Sequence, residues 1–326
     1  MRLEVFKKKK NVPRPKNSPL VFVHIPKTAG TSFRQSLEEM FGYESICMDY
    51  GTDYEGTSPC VLDWYQSRDF YALYEAFSRE GFSFLSGHFS ASKYVNLFPA
   101  QSMVTFLRDP VKRVLSEFSH FKRVNGYKGS LEDFYLNNRN KNRQTKMLDN
   151  IPRQVLGLVG ITERYEESLA LLAHRFGLDL PHIRKNTDPN KVADRLGITE
   201  EQKRQIELHN LEDIALYKGA VQELEVQIDL MRENQPYTFA HFQRVHENKR
   251  LNGWAFQRGQ EAPVELKFSF GGKDEHNVLA KGYRSDMHRF GCPRKGHVGF
   301  SIELPQMGEQ EEIQCSVVET GQLISC

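Results

Sequence analysis

The nine residues His24-Ile25-Pro26-Lys27-Thr28-Ala29-Gly30-Thr31-Ser32 constrain this chain more than any other stretch. Before them, Leu20-Val21-Phe22-Val23-His24-Ile25 is short, apolar and β-branched, and Pro19 and Pro26 bound it, which suits a buried strand. After them, Phe33, Leu37, Met40 and Phe41 fall at i, i+4, i+7 and i+8, one face of a helix that Thr31 or Ser32 is placed to cap. The unit is therefore strand, tight loop, helix. Backbone N–H groups and the helix dipole at such a junction favour an anion, and the two hydroxyls add donors. The loop is not a Walker A loop, because its lysine comes three residues before the glycine instead of directly after it, and Ser32 does not follow a lysine to hold Mg²⁺. A phosphate or sulfate ester held without an obligate metal is the functional expectation, and an ordinary turn is the alternative.

The same grammar recurs. Residues 103–107 form a strand candidate, Arg108-Asp109-Pro110 ends it, and Val111, Val114, Leu115 and Phe118 mark a helix face with Pro110 in its first turn. A third strand is expected at 155–161, followed by a helix over 163–176, and residues 199–231 read as one further helix. Strands alternating with helices predict an α/β domain with a mainly parallel sheet. After Asn234-Gln235-Pro236 the pattern changes. Val264, Leu266, Phe268 and Phe270, then Val298, Phe300, Ile302 and Leu304, alternate with polar or small residues, which predicts antiparallel strands and a small β-sandwich. The expected division of the 326 residues is a basic flexible arm at 1–18, an α/β domain at 19–235 and an all-β domain at 240–326.

Composition removes several classes. Lys plus Arg is 44 against 42 Asp plus Glu, so no general attraction to nucleic acid is expected, although a local basic pocket is compatible. Nowhere is there a run of about 18 apolar residues, which excludes a membrane-spanning helix. No apolar segment follows the basic N-terminus, so no secretory signal is expected. The cysteines at 47, 60, 292, 315 and 326 are odd in number, widely spaced and without a CxxC, which suits free thiols in a reducing cytoplasm.

The loop resembles the 5′-phosphosulfate loop of sulfotransferases that use 3′-phosphoadenosine 5′-phosphosulfate (PAPS), most closely the carbohydrate branch with heparan sulfate 2-O- and 6-O-sulfotransferases and their bacterial relatives. A second motif, from Thr105 through Arg108 and Ser116 to Phe118, resembles the family's 3′-phosphate site, where an arginine ends a strand and a serine follows eight residues later. Gly160-Ile161-Thr162-Glu163 and the basic His182-Ile183-Arg184-Lys185 resemble later family segments, as Gln144-Thr145 does weakly, so the similarity spans residues 19–232. The resemblance implies a P-loop-NTPase-like three-layer fold and a cytoplasmic, bacterial enzyme. It implies PAPS as co-substrate, no metal, and a carbohydrate or other hydroxyl acceptor. Lys27, Thr28, Ala29, Gly30, Thr31, Ser32, Arg108, Ser116, Arg184 and Lys185 would bind the nucleotide. Short segments around Trp254, Pro263, Tyr283 and Gly296 resemble a β module appended to bacterial glycosyltransferases and sulfotransferases, with Trp254 either a core residue or a sugar platform.

Sulfuryl transfer needs a base for the acceptor hydroxyl and a cation for the leaving phosphate. Lys27 is the expected cation. The expected base is His88, in Ser86-Gly87-His88-Phe89, since the 2-O branch carries a Gly-His between its phosphate motifs and histidine titrates near neutrality. A packed or capping histidine is the alternative there, with His120, Glu55 and Asp53 as outsiders for the base and His24 as a structural residue. Arg139, Lys141, Arg143 and Lys146 crowd into ten residues as either a solvated face or an anion-contacting rim. The rival functions are a non-catalytic glycan-binding protein and a nucleotide kinase of related fold.

Overall fold

A computed structural model describes residues 19–178, 197–245, 249–271, 274–305 and 312–324. The expected arm at 1–18, and Arg184 and Lys185, lie outside the described residues.

Five parallel strands form the central sheet: β1 (Leu20–Val23), β2 (Ile46–Asp49), β3 (Phe84–Gly87), β4 (Met103–Leu107) and β5 (Leu158–Ile161). Their spatial order is β2-β3-β1-β4-β5, and helices flank them. Every strand is buried along its full length, as parallel strands covered on both faces require. This also explains why β2 and β3 were not legible as strands: four buried residues carry no alternation. The chain leaves β1 toward β2 but leaves β4 toward β5, so the connections diverge between these adjacent strands. An open α/β sheet forms its ligand crevice outside the carboxyl ends at such a switch point.

The first helices are α1 (Gly30–Phe41), α2 (Pro59–Ser67), α3 (Phe70–Arg79) and α4 (Ala91–Val95). Then come α5 (Pro110–Val124), α6 (Leu131–Leu136), α7 (Arg143–Leu148) and α8 (Tyr165–Phe176). The single helix expected over 199–231 is two, α9 (Glu200–Leu208) and α10 (Leu211–Arg232). Asn210 makes the break. Its buried amide donates to Ile206 O at 2.8 Å and accepts from Asn142 N at 2.9 Å, so the chain turns there to dock on the loop before α7. No described helix is long and apolar enough to cross a membrane.

Beyond α10 the architecture becomes antiparallel. The inner sheet has the order β10-β11-β7-β6, from β6 (Thr238–Val245), β7 (Arg250–Gln257), β10 (Gly282–Tyr283) and β11 (His297–Glu303). The outer sheet is β13-β12-β8-β9, from β8 (Glu265–Phe270), β9 (Asp274–Leu279), β12 (Ile313–Val317) and β13 (Leu323–Ile324). A short helix, α11 (Ser285–Arg289), precedes β11. Period-two alternation sends Ala240, Phe242, Leu251, Phe268 and Phe300 into a core between the two sheets. The opposite face of the inner sheet sends Phe239, Trp254 and Phe256 into the same core as the parallel sheet. Trp254 is 2% exposed, which makes it a core residue and excludes a sugar platform at its ring. Each such side chain contributes about 1.5–3 kcal/mol on burial, so the apolar core runs unbroken across the change of architecture near residue 235.

Candidate active site

The carboxyl ends of β1, β3 and β4 deliver the loops that begin at His24, His88 and Arg108 to one edge of the sheet. The first loop is held by its own backbone. Lys27 (φ 69°) and Ala29 (φ 66°) are both left-handed, and Ala29 is the N-cap of α1 with no side-chain cap of its own among the described residues. Thr28, fully buried, donates from Oγ1 to Ile25 O at 2.9 Å and closes the loop from inside. Gly30 is required by contact: a Cβ there would stand 2.1 Å from the His24 ring. Thr31 is exposed and Ser32 half-exposed in the first turn of α1, where amide groups and dipole favour an anion.

Arg108 is 8% exposed and donates from one guanidinium nitrogen to Lys27 O at 3.2 Å, so the two expected phosphate loops touch. Its backbone is clamped by Gln144, which accepts from Arg108 N at 2.9 Å and donates to Arg108 O at 3.0 Å. Gln144 is in turn placed by Asp213. This buried carboxylate, from the first turn of α10, accepts from the backbone N–H of Gln144 (3.1 Å) and of Thr145 (2.8 Å), capping α7 from another helix. Glu163 accepts from Asp109 N at 3.3 Å and from the Tyr217 hydroxyl at 3.1 Å, and its carboxylate stands 4.0 Å from Arg108 Nε. Glu163 thus anchors the loop that carries Arg108.

Ser116 is half-exposed in the second turn of α5. His120 and Arg123 follow at i+4 and i+7, on the same helix face. Both lie close enough to Lys27 to feel its charge, so this face of α5 looks onto the Lys27 loop. Burial, then repulsion from Arg123 and Arg108, pushes the Lys27 ammonium below its ordinary pKa, with Glu117 opposing. Such a crowd of cations is what an anionic ester relieves. Arg143 is half-buried and near enough to affect His88, whereas Arg139 and Lys146 are exposed. Of that basic run, Arg143 borders the site.

His88 follows Gly87, whose missing Cβ is essential because one would lie 1.8 Å from Asp49 O. The backbone N–H of His88 donates to that same carbonyl at 2.9 Å. Its ring Nδ1 lies 2.6 Å from His24 O. A carbonyl only accepts, so Nδ1 carries the hydrogen and the neutral ring presents the Nε2 lone pair outward. Dehydration within the concave site lowers the His88 pKa, reinforced by Arg143 and opposed by its bond to the carbonyl, which keeps the ring neutral near pH 7. The ring is exposed at its outer edge and packs against His24 (4.5 Å between centroids) and Tyr50 (4.8 Å). His24 is buried. Its pKa is well below the usual value because of burial and then His88, and its Nδ1 meets the Tyr50 hydroxyl at 2.9 Å. Asp53 and Glu55 are exposed on the neighbouring loop.

Sequence reasoning missed Tyr50, Arg123, Asp213 and the support beneath His88. There the fully buried Asp49 carboxylate accepts from Lys93 Nζ (2.6 Å), Tyr94 OH (2.9 Å) and Tyr65 OH (3.0 Å). Arg123 was findable, seven residues after Ser116 on one helix face. Asp213 and Lys93 had no local signal.

An α/β fold with an anion cradle at the switch point of its parallel sheet thus defines the class. Residues 14–177, half of the chain, match the model of the sulfotransferase family, and the chain belongs to that family. One solved structure, a sulfotransferase from Alicyclobacillus acidocaldarius, is similar at 15% identity and a TM-score of 0.36, covering 63% of this chain and 96% of that one. No curated protein matches the chain significantly.

Proposed function

We propose that this sulfotransferase takes its sulfuryl group from PAPS and passes it to a hydroxyl of a carbohydrate-type acceptor. The oriented His88 ring, beside two mutually bonded cationic loops, is the observation that carries this reading. The residues present suit the nucleotide: an uncapped helix start at Gly30, Lys27 and Arg108 joined through a carbonyl, and the Ser116 hydroxyl on the facing helix. PAPS, when bound, supplies the sulfuryl group and leaves adenosine 3′,5′-bisphosphate. Lys27, with the first-turn amides and the hydroxyls of Thr31 and Ser32, would hold the 5′ end. Arg108 offers a charge-assisted clamp to the 3′-phosphate and Ser116 a neutral donor. His88 Nε2 takes the proton of the acceptor hydroxyl while Nδ1–H stays on His24 O. The Lys27 ammonium stays against the phosphate oxygen where charge grows. Residues 19–235 would form the transferase unit in the cytoplasm, with 240–326 an accessory β unit completing its core.

Two measurements test this. Adenosine 3′,5′-bisphosphate should raise the melting temperature without Mg²⁺ and AMP much less, since only the former carries the group assigned to Arg108 and Ser116. Labelled PAPS offered to a panel of glycans and lipids should label a glycan. Equal shifts from both nucleotides would remove the 3′-phosphate site, and label confined to lipids would remove the carbohydrate acceptor.

A further inference from the structure

Far from the catalytic edge lies a cavity of about 250 Å³ where α8 and α10 meet β6 and β7. Arg175 and Arg258 line it together with His174, Gln227, Tyr237 and Gln260. Arg175 is twelve residues beyond Glu163, on the helix that leads away from the site. At 1.5 Å per residue this separates the two regions by about 18 Å.

Both arginines are fixed but chemically unspent. Arg175 donates to Gly157 O at 2.6 Å and lies over the rings of Tyr237 (5.0 Å) and Phe239 (5.2 Å). Arg258 donates to Arg175 O at 3.2 Å and lies 4.3 Å over the Phe176 ring. A guanidinium has five N–H donors, and among the described residues each of these arginines donates one hydrogen bond, which leaves most of each fork for a ligand. Among the described residues neither arginine forms an ion pair. A carboxylate at the border, Glu319, accepts from Gln257 Nε2 at 3.0 Å instead. Two dehydrated like charges lining one cavity are costly. Burial pushes the Arg175 pKa down to about 10, with Tyr237 opposing and Arg258 adding a smaller downward push. Beside them the Gln227 amide oxygen is buried and, among the described residues, has no hydrogen-bond partner.

We propose that this cavity binds a sugar bearing an oxyanion, either a sulfate ester or a carboxylate. The two guanidinium groups lining the cavity suit a planar or tetrahedral oxyanion, and the glutamine amides and His174 suit ring hydroxyls. At 250 Å³ it is just below the usual size of ligand sites, about 300–1,000 Å³, which suits one sugar ring better than a nucleotide. The site stands apart from the catalytic reading, since no residue is common to both.

Hydrogen exchange of the full chain tests it with four probes: glucose 6-sulfate, glucuronate, inorganic sulfate and glucose. Both anionic sugars should slow exchange at 171–178, 235–239 and 257–260, glucose should not, and inorganic sulfate should act more weakly. Arg258→Gln should weaken the response there by about ten- to a hundredfold, the worth of one charge-assisted contact. Protection of the loops at 24–32 and 105–116 by adenosine 3′,5′-bisphosphate should persist in the same variant. Arg258→Lys keeps the charge without the fork and should also lose affinity, which preserves the test if the glutamine variant unfolds. Unchanged affinity in the variant that folds, protection confined to the catalytic loops, or equal protection by glucose would overturn the site. Equal protection by inorganic sulfate would overturn its sugar component.

Discussion

The loops after β1 and β4 lie side by side and are joined by the bond from Arg108 to Lys27 O, yet they are built by opposite means. The β1 loop is shaped from within. Two left-handed non-glycine residues, an internal threonine bond and a glycine pressed by His24 set its course, all inside nine residues. Left-handed residues of this kind cost about 1–2 kcal/mol each, so the loop stores strain at the proposed active site. The β4 loop is shaped from outside. Asp109 caps α5 by accepting from Lys112 N, but Arg108 is held by Gln144, Gln144 by Asp213, and Asp109 N by Glu163. A loop held locally fails when one of its own atoms changes; a loop held remotely fails when a distant helix shifts.

Breaking the catalytic side of this comparison should give the largest effect. His88→Ala should lower turnover by about 10²–10⁴-fold while leaving affinity for adenosine 3′,5′-bisphosphate nearly intact. Lys27→Ala should lower turnover and weaken nucleotide affinity as well. Titration calorimetry beside initial rates separates the two, and near-full turnover of the histidine variant would make His88 structural.

Next, Gly30→Ala should destabilise the protein by about 1–3 kcal/mol, because the new methyl must displace the His24 ring. Adding His24→Ala should recover part of that loss, a non-additivity that chemical denaturation would measure. If the two losses simply add, the glycine is there for another reason.

The remote loop is tested by Gln144→Ala. It leaves the buried N–H and C=O of Arg108 without their partner, at about 1–3 kcal/mol. Affinity for adenosine 3′,5′-bisphosphate should fall about tenfold, whereas AMP binding should change little. An equal loss for both nucleotides would show that the clamp supports the β1 loop too.

The smallest effects are a titration and a single donor. The lowered His88 pKa places the acid limb of kcat/KM below the ordinary histidine value of about 6.5. Activity should therefore be full above that value and fall as pH drops through the folded-state pKa and the ring takes its proton. A limb that persists unchanged in His88→Ala would assign it elsewhere. Ser116→Ala should cost about 0.5–1.5 kcal/mol of 3′-phosphate binding, visible only as the gap between adenosine 3′,5′-bisphosphate and AMP narrows.

By itself the sequence determined whatever is encoded over short distances. The loop at 24–32, the Arg108–Ser116 spacing, the Gly-His before Phe89 and the alternation of β8 and β11 all act within a few residues, where backbone sterics and periodicity suffice. It therefore specified an α/β sheet followed by antiparallel strands, and named the residues that the structure gathers at one edge. Tertiary structure decided the rest. Asp213 reaches Gln144 across 69 positions and Lys93 reaches Asp49 across 44, while the inner β sheet joins the core of the parallel one. These are contacts between distant segments, and they depend on where the folded sheets and helices bring each segment. The break at Asn210 has the same cause: a helical pattern yielded to a pair of hydrogen bonds that only docking makes available.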